Sequence, residues 1–313
     1  MNDGWLDLDG YTQAWALRGD DDPYLRPEYL HAAAAIEEGE PAAFAHGNVL
    51  YPFLVRDLGG GRCDITSAYG AGGPIGIGAW RQPFLEACRE RGVVSEFIRF
   101  HPVLRNHTGL DGVRLTELQD IVTVAVQVDD DALITQMEPT ARNKLRKAIR
   151  AGVEVSTHRD LDRFRSLYLE TMLGMRADPF YLFPEEFFAR LERLGDALTV
   201  LDAGSAVGLF LSGGGAMHYF LSGSTLEARK LASTNMLLFE AMRRARAAGF
   251  ETLVLGGGLR NDDSLDRFKR SIGSGRAPKV IGTVVHDPDA YRQLCAAAGA
   301  SPDDTYFPAY RRP

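Results

Sequence analysis

Apolar runs at 42–47, 49–58, 93–100 and 121–128 have the length and the β-branched and aromatic content of strands. Helical spacing appears between the second and third, over 82–92, and earlier over 27–39, where Pro27 opens a helix that packs on the first sheet. In the second half the pattern predicts a basic helix over 141–151 with Thr140 as its N-cap and Gly152 as its stop, then a strand at 153–157 and helices near 160–174 and 184–194. Strands follow near 197–203, 206–212 and 216–222, then a long amphipathic helix at 230–249 and a strand at 251–256. A short helix holding Phe268 and Lys269, a strand at 279–286 and a helix at 288–299 complete the chain. This alternation predicts an α/β protein with helices covering sheets.

A length of 313 residues implies two domains of ordinary size, with a boundary near 135 that gives 1–135 and 136–313. Within the second, 216–273 runs strand, helix, glycine-ended strand, helix. That order places a polar crevice between the carboxyl ends of two neighbouring strands, where open α/β sheets bind small ligands.

Composition narrows the function. Hydrophobic residues make up 45% and charged residues 25% of the chain, as in a globular protein. Cys63, Cys88 and Cys295 lie far apart, without the paired spacing of zinc or redox sites, so reduced thiols and no metal site are expected. The acidic N-terminus lacks the order of a signal peptide, and no apolar run approaches the ~18 residues of a membrane helix, which together predict a cytoplasmic protein. A net charge of −7 argues against a surface wholly devoted to nucleic acid. Local basic patches remain: Arg142, Lys144, Arg146, Lys147 and Arg150 stand within nine residues without an acid, and Arg260, Arg267, Lys269, Arg270, Arg276 and Lys279 form a second set.

Four blocks carry a family resemblance. The run 218–258, with Tyr219 opening Y-F-L-S-G-S, Asn235 opening an N-M-L-L helix and Gly256-Gly257-Gly258 ending a strand, is followed by 264-SLDRFKRSIG-273. Together they resemble the C-terminal half of Fem-type aminoacyltransferases and their GNAT-fold relatives. The helix 142-RNKLRKAIRAGVEV-155 is similar to a basic segment of the same family, and 66-TSAYGAGGPIG-76 and 95-SEFIRFHPVLRN-106 are similar to first-half segments of bacterial Fem-like proteins.

The resemblance implies tandem GNAT-like domains, each a mixed β-sheet flanked by helices, with the acceptor in the cleft between them and the donor on the second. It implies N-acyl transfer, with aminoacyl-tRNA as co-substrate, to an amine of a peptide-like or small-molecule acceptor. Acyl-CoA is the alternative donor, and a non-catalytic GNAT-like binding module is a third reading. No tightly bound cofactor is expected. Ile75, Gly76 and Ile77 follow Gly72-Gly73-Pro74 where peptidoglycan-acting relatives place an aspartate, and this argues against a cell-wall acceptor.

Such a transfer needs a neutral amine, a proton acceptor and a charge aimed at the oxygen of the tetrahedral intermediate, but neither a metal nor a covalent enzyme intermediate. Lys269 takes the role of charge stabiliser by resemblance; a lysine on a solvated helix face is the competing reading. His101 is a candidate proton acceptor, although a lone histidine is more often structural. Tyr219, Gly256, Gly257, Gly258, Phe268 and Arg270 are assigned to the donor side, Phe268 and Tyr219 being equally readable as core and the glycines as a plain turn. Tyr69, Gly72, Gly73 and Arg99 are assigned to the acceptor side. Arg142, Lys144, Arg146, Lys147 and Arg150 are candidates for tRNA phosphates, or a solvated face. The loop 223–235 has no glycine after Gly223 and carries Glu227, which disfavours the pyrophosphate of CoA there.

Overall fold

The computed structural model describes residues 3–258 and 263–312, so Arg260 of the second basic set lies outside the described residues. The chain divides into two compact units, one holding residues up to 20, 24–118 and from 279 onward, the other 21–23 and 119–278.

The first unit begins with β1 (Gly4–Asp7), α1 (Leu8–Arg18), α2 (Pro27–Glu37), β2 (Glu40–His46), β3 (Val49–Gly59), β4 (Arg62–Thr66), α3 (Arg81–Glu90), β5 (Val93–Arg99) and β6 (Arg114–Glu117). The second holds β7 (Ile121–Ala125), α4 (Asp130–Gln136), α5 (Pro139–Arg150), β8 (Ser156–His158), α6 (Leu161–Gly174), α7 (Glu185–Leu191), β9 (Leu198–Asp202), β10 (Ala206–Gly213), β11 (Ala216–Ser224), α8 (Leu226–Leu231), α9 (Ser233–Ala247), β12 (Thr252–Gly256), α10 (Ser264–Ile272) and β13 (Gly275–Ala277). The chain then returns to the first unit with β14 (Val280–Val285) and α11 (Pro288–Ala297).

Each unit is one mixed seven-stranded sheet, ordered β1-β2-β3-β4-β5-β14-β6 in the first and β8-β9-β10-β11-β12-β7-β13 in the second. Both orders follow the same plan, with five strands in succession and one parallel pair, β4 with β5 and β11 with β12. The sixth position is exchanged: β14 fills it between β5 and β6, and β7 fills it between β12 and β13. The units therefore divide the chain elsewhere than the expected boundary near 135, which falls inside α4. Strand pairing decides this, because β7 pairs with β12 and β13 while β14 pairs with β5 and β6.

Aromatic side chains fill the first core, where Phe84 of α3 meets Phe44, Tyr51 and Trp80 with ring centroids 5.2–5.5 Å apart. In the second unit, α5 buries Ala141, Leu145 and Ala148, spaced for one helical face, and α9 buries Leu237, Leu238, Ala241, Met242 and Ala245. The expected helix over 230–249 is in fact two, broken at Ala232, whose φ of 58° is left-handed. Helix α5 starts two residues earlier than expected: Glu138 is the N-cap and Pro139 the first helical residue, so Thr140 lies inside the helix.

Helices cover both faces of the second sheet. Gly208 and Ser222 are cross-strand partners, and a methyl at Gly208 would meet Leu237 of α9 at 2.9 Å. On the opposite face, a methyl at Gly223 would meet the backbone of Leu167 and Tyr168 in α6 at 2.7 Å. Gly223→Ala is therefore expected to destabilise the protein by about 1–3 kcal/mol through overpacking. A urea denaturation midpoint equal to that of the unsubstituted protein would contradict this packing.

Candidate active site

The two parallel pairs differ. In the first unit pairing continues past β4: Ser67 N–H donates to Phe97 O at 2.9 Å, Arg99 N–H donates to Ser67 Oγ at 3.1 Å, and Gly72 bridges Phe100. In the second, β11 and β12 pair with each other only from Ala216 opposite Thr252 to His218 opposite Val254, then run on to Ser224 and Gly256 paired only with their outer neighbours β10 and β7. The sheet is open between them. A bulge in β11 at Phe220, between Tyr219 opposite Phe210 and Leu221 opposite Leu209, increases the local twist there.

Lys269 reaches this opening from α10. Asp263 caps that helix by accepting the Asp266 N–H at 2.7 Å, and Asp266, Lys269 and Ile272 are buried along its inner side. The Lys269 ammonium donates to Gly257 O at 2.8 Å and lies 5.9 Å from the centroid of the Tyr219 ring. It thus spans the two diverging strands, one partner on β11 and the other at the end of β12. Burial pushes the Tyr219 phenol up to about 12, against a hydrogen bond with Ser222 that lowers it, so the ring stays neutral beneath the cation.

The glycine turn is gripped from several sides. Gly256 has φ +74°. A methyl at Gly257 would lie 2.8 Å from Gln119 Nε2, and one at Gly258 would lie 2.4 Å from Asp263 Oδ1. Gln119 Nε2 donates to Gly258 O at 2.7 Å. Close approach of these side chains accounts for glycine at 257 and 258. Gln119 lies 139 residues from its partner, so no local pattern in the sequence could have pointed to it.

The other residues assigned to the donor side sit elsewhere. Phe268 packs against the hydrophobic core, and Arg270 Nε donates to the buried Asp266 carboxylate at 2.7 Å. Both read as structural. On α5, Arg142 is half-buried while Lys144, Arg146, Lys147 and Arg150 are exposed. Among the described residues none of the five has a carboxylate within ion-pair distance; Arg146 donates instead to Asn143 Oδ1 at 3.2 Å. The Glu138 N–H donates to Ser271 O at 2.8 Å, which fixes the start of this basic helix to the end of α10.

In the first unit, Tyr69, Gly72, Gly73 and Arg99 come together around the loop after β4. Tyr29 donates its hydroxyl to Tyr69 O at 2.5 Å, and Asn106 Nδ2 donates to Gly72 O at 2.9 Å and Pro74 O at 3.0 Å. Arg99 donates to Ser67 O at 2.6 Å and pairs with Glu37 at 3.1 Å. His101 is buried, and its Nδ1 accepts the N–H groups of Val103 at 3.3 Å and Leu104 at 3.1 Å. A neutral ring held this way carries its proton on Nε2, so the geometry gives His101 a turn-forming role and no lone pair for the proton transfer expected of it.

Residues 137–270 match the acetyltransferase (GNAT) domain family. The chain is similar in fold to the crystal structure of FemX, with a TM-score of 0.58 and 14% identity over 84% of this chain and 92% of that one. It is similar also to L-PGS from Bacillus licheniformis, with a TM-score of 0.59 and 15% identity over 91% of this chain and 94% of that one. A third such structure is the C-terminal domain of a putative lysylphosphatidylglycerol synthetase from Agrobacterium fabrum, with a TM-score of 0.55 and 16% identity over 93% of this chain and 95% of that one. No curated protein sequence matches the chain significantly. Among the described residues no helix is long and apolar enough to cross a membrane. Residues 137–270 thus carry a GNAT acetyltransferase domain, in a chain built of two seven-stranded mixed sheets on one plan.

Proposed function

We propose that the protein transfers an aminoacyl group from aminoacyl-tRNA to an amine of a peptide-like or small-molecule acceptor, in the cytoplasm and without a covalent enzyme intermediate. The opening between β11 and β12, spanned by the Lys269 ammonium, carries this reading. An acyl ester entering there presents its carbonyl to a fixed cation. As the amine attacks, negative charge grows on the carbonyl oxygen and Lys269 stabilises it. The new N–C bond forms, the ester C–O bond breaks, and the amine proton leaves with the released hydroxyl.

The donor is inferred from charge. A CoA pyrophosphate would need backbone N–H groups and a favourable helix terminus after β11. Gly223 in that stretch is occupied by its contact with α6, and the exposed Glu227 stands in the first turn of α8, where it repels phosphate. The acid-free face of α5 suits a polyanion instead. The FemX likeness and that to a synthetase named for a lysylated lipid support an aminoacyl donor.

The test is transfer of label from aminoacyl-tRNA and, separately, from acetyl-CoA to a panel of amines. Lys144, Lys147 and Arg150 replaced together by glutamine should raise the KM for aminoacyl-tRNA and flatten its dependence on log salt by about 2–3 in slope, with folding intact. An unchanged slope would remove α5 from donor binding, and consumption of neither donor would favour a binding module.

A further inference from the structure

The first unit carries a second cationic feature beyond the donor site. Arg99 closes β5 with its guanidinium fixed by Ser67 O, by the ion pair with Glu37 and by the Phe97 ring, 4.9 Å away. Its side chain is still 26% exposed. Strands β5 and β14 are antiparallel with Ile281 opposite Arg99. Lys279 stands two residues before Ile281 and its carbonyl accepts the Leu118 N–H at 2.8 Å. Alternation along the strand direction therefore puts Lys279 on the same sheet face as Arg99, one diagonal step away.

We infer that Arg99 and Lys279 together hold an anionic group, a carboxylate or a phosphate, of the molecule bound by the first unit. This rests on the proposed reading of that molecule as the acyl acceptor.

Three observations support the inference. Lys279 keeps solvent contact and, among the described residues, has no carboxylate within ion-pair distance, while Glu37 is already engaged by Arg99. Partial burial and then the charge of Arg99 lower the proton affinity of the Lys279 ammonium, as expected for two cations sharing one small region. An oxyanion between them removes that repulsion, since a guanidinium fork and an ammonium both suit carboxylate or phosphate oxygens. Lys279 also reaches this sheet only through the strand exchange, so the second half of the sequence completes a subsite on the first unit.

Calorimetric titration of the full chain at low salt with inorganic pyrophosphate, and separately with citrate, tests the subsite in the absence of donor and acceptor. The expected result is saturable binding of at least one probe, weakened about fivefold by Lys279→Met or Lys279→Gln, restored by Lys279→Arg and unchanged by Arg89→Met at an exposed position of α3. The stronger probe identifies the chemical class. Failure of both probes to bind, equal binding by Lys279→Met or Lys279→Gln, or equal loss in Arg89→Met would overturn the inference. A protein that transfers acyl groups but binds neither probe refutes the subsite alone. One that binds a probe in this pattern but transfers nothing keeps the subsite and refutes the proposed reaction.

Discussion

Lys269→Met should lower kcat by about 10²–10³-fold, the usual cost of removing one donor aimed at a developing oxyanion. The KM for the acceptor should change little, because the ammonium contacts Tyr219 and Gly257 in the second unit, where the donor is proposed to enter. Methionine keeps the length and the apolar stem of lysine, so packing against the core survives. What is lost is one charge at the opening and the donor that satisfies Gly257 O, worth about 1–3 kcal/mol of stability if that carbonyl is left unpaired. Thermal melting alongside kinetics separates the two effects. A variant that melts several degrees lower but keeps its turnover would make Lys269 a purely structural clamp on the glycine turn.

The largest stability effect is expected at Glu96, far from this chemistry. Its carboxylate is fully buried in the first unit, where it accepts both Arg81 Nη1 at 3.0 Å and Nη2 at 2.8 Å, the Tyr51 hydroxyl at 3.0 Å, and lies 3.0 Å from His286 Nε2. Glu96→Leu strands the Arg81 guanidinium without its counter-ion and should cost about 3–5 kcal/mol. The pH dependence follows from the same contacts. Burial pushes the Glu96 carboxyl up, but hydrogen bonding from His286 and the charge and hydrogen bonds of Arg81 outweigh it and hold the group at about 2, against 4.5 for the unfolded chain. The native state thus binds this proton less readily than the unfolded state, and its contribution is fully present above pH 4.5 and lost as pH falls toward 2. Melting curves across that window should show a steep acid loss of stability, and Glu96→Gln should flatten it. Parallel curves for the two proteins would place the acid sensitivity elsewhere.

How far the sequence could be read depended on whether a feature was local. Apolar periodicity was enough to find α5, α6, α9 and the strands β9 to β12, because each buries a regular stripe or alternates in and out of a sheet. The short edge strands β1, β6 and β13 were missed. With three or four residues and one exposed face they carry no periodicity to detect. Helix α4 hid behind the run Asp129-Asp130-Asp131, which resembles a linker but supplies the N-cap and first-turn acids of a helix. The exchange of β7 and β14 left no local trace at all, since either strand has an acceptable pattern for either sheet. Partner choice is set by long-range pairing.

The same distinction holds for the site. Tyr219, the glycine turn and Lys269 lie within about fifty residues of sequence and were picked out together, and the structure groups them around one opening. Gln119 and Asn106, which hold the glycine turn and the loop after β4 by their side-chain amides, act on carbonyls remote in sequence. Phe268 and Arg270 flank Lys269 in sequence, but neighbouring helix positions point in different directions, Phe268 to the core and Arg270 to Asp266. His101 offers an imidazole to a sequence search for proton acceptors, yet two backbone N–H groups claim its Nδ1.

The most direct measurement is single-turnover transfer of a labelled amino acid from aminoacyl-tRNA to an amine, with acetyl-CoA as the parallel donor and Lys269→Met beside the unsubstituted protein. The expected result is amide product from aminoacyl-tRNA alone, strongly slowed in the variant. Efficient acetyl transfer from CoA with no aminoacyl product, or equal rates in the two proteins, would contradict it.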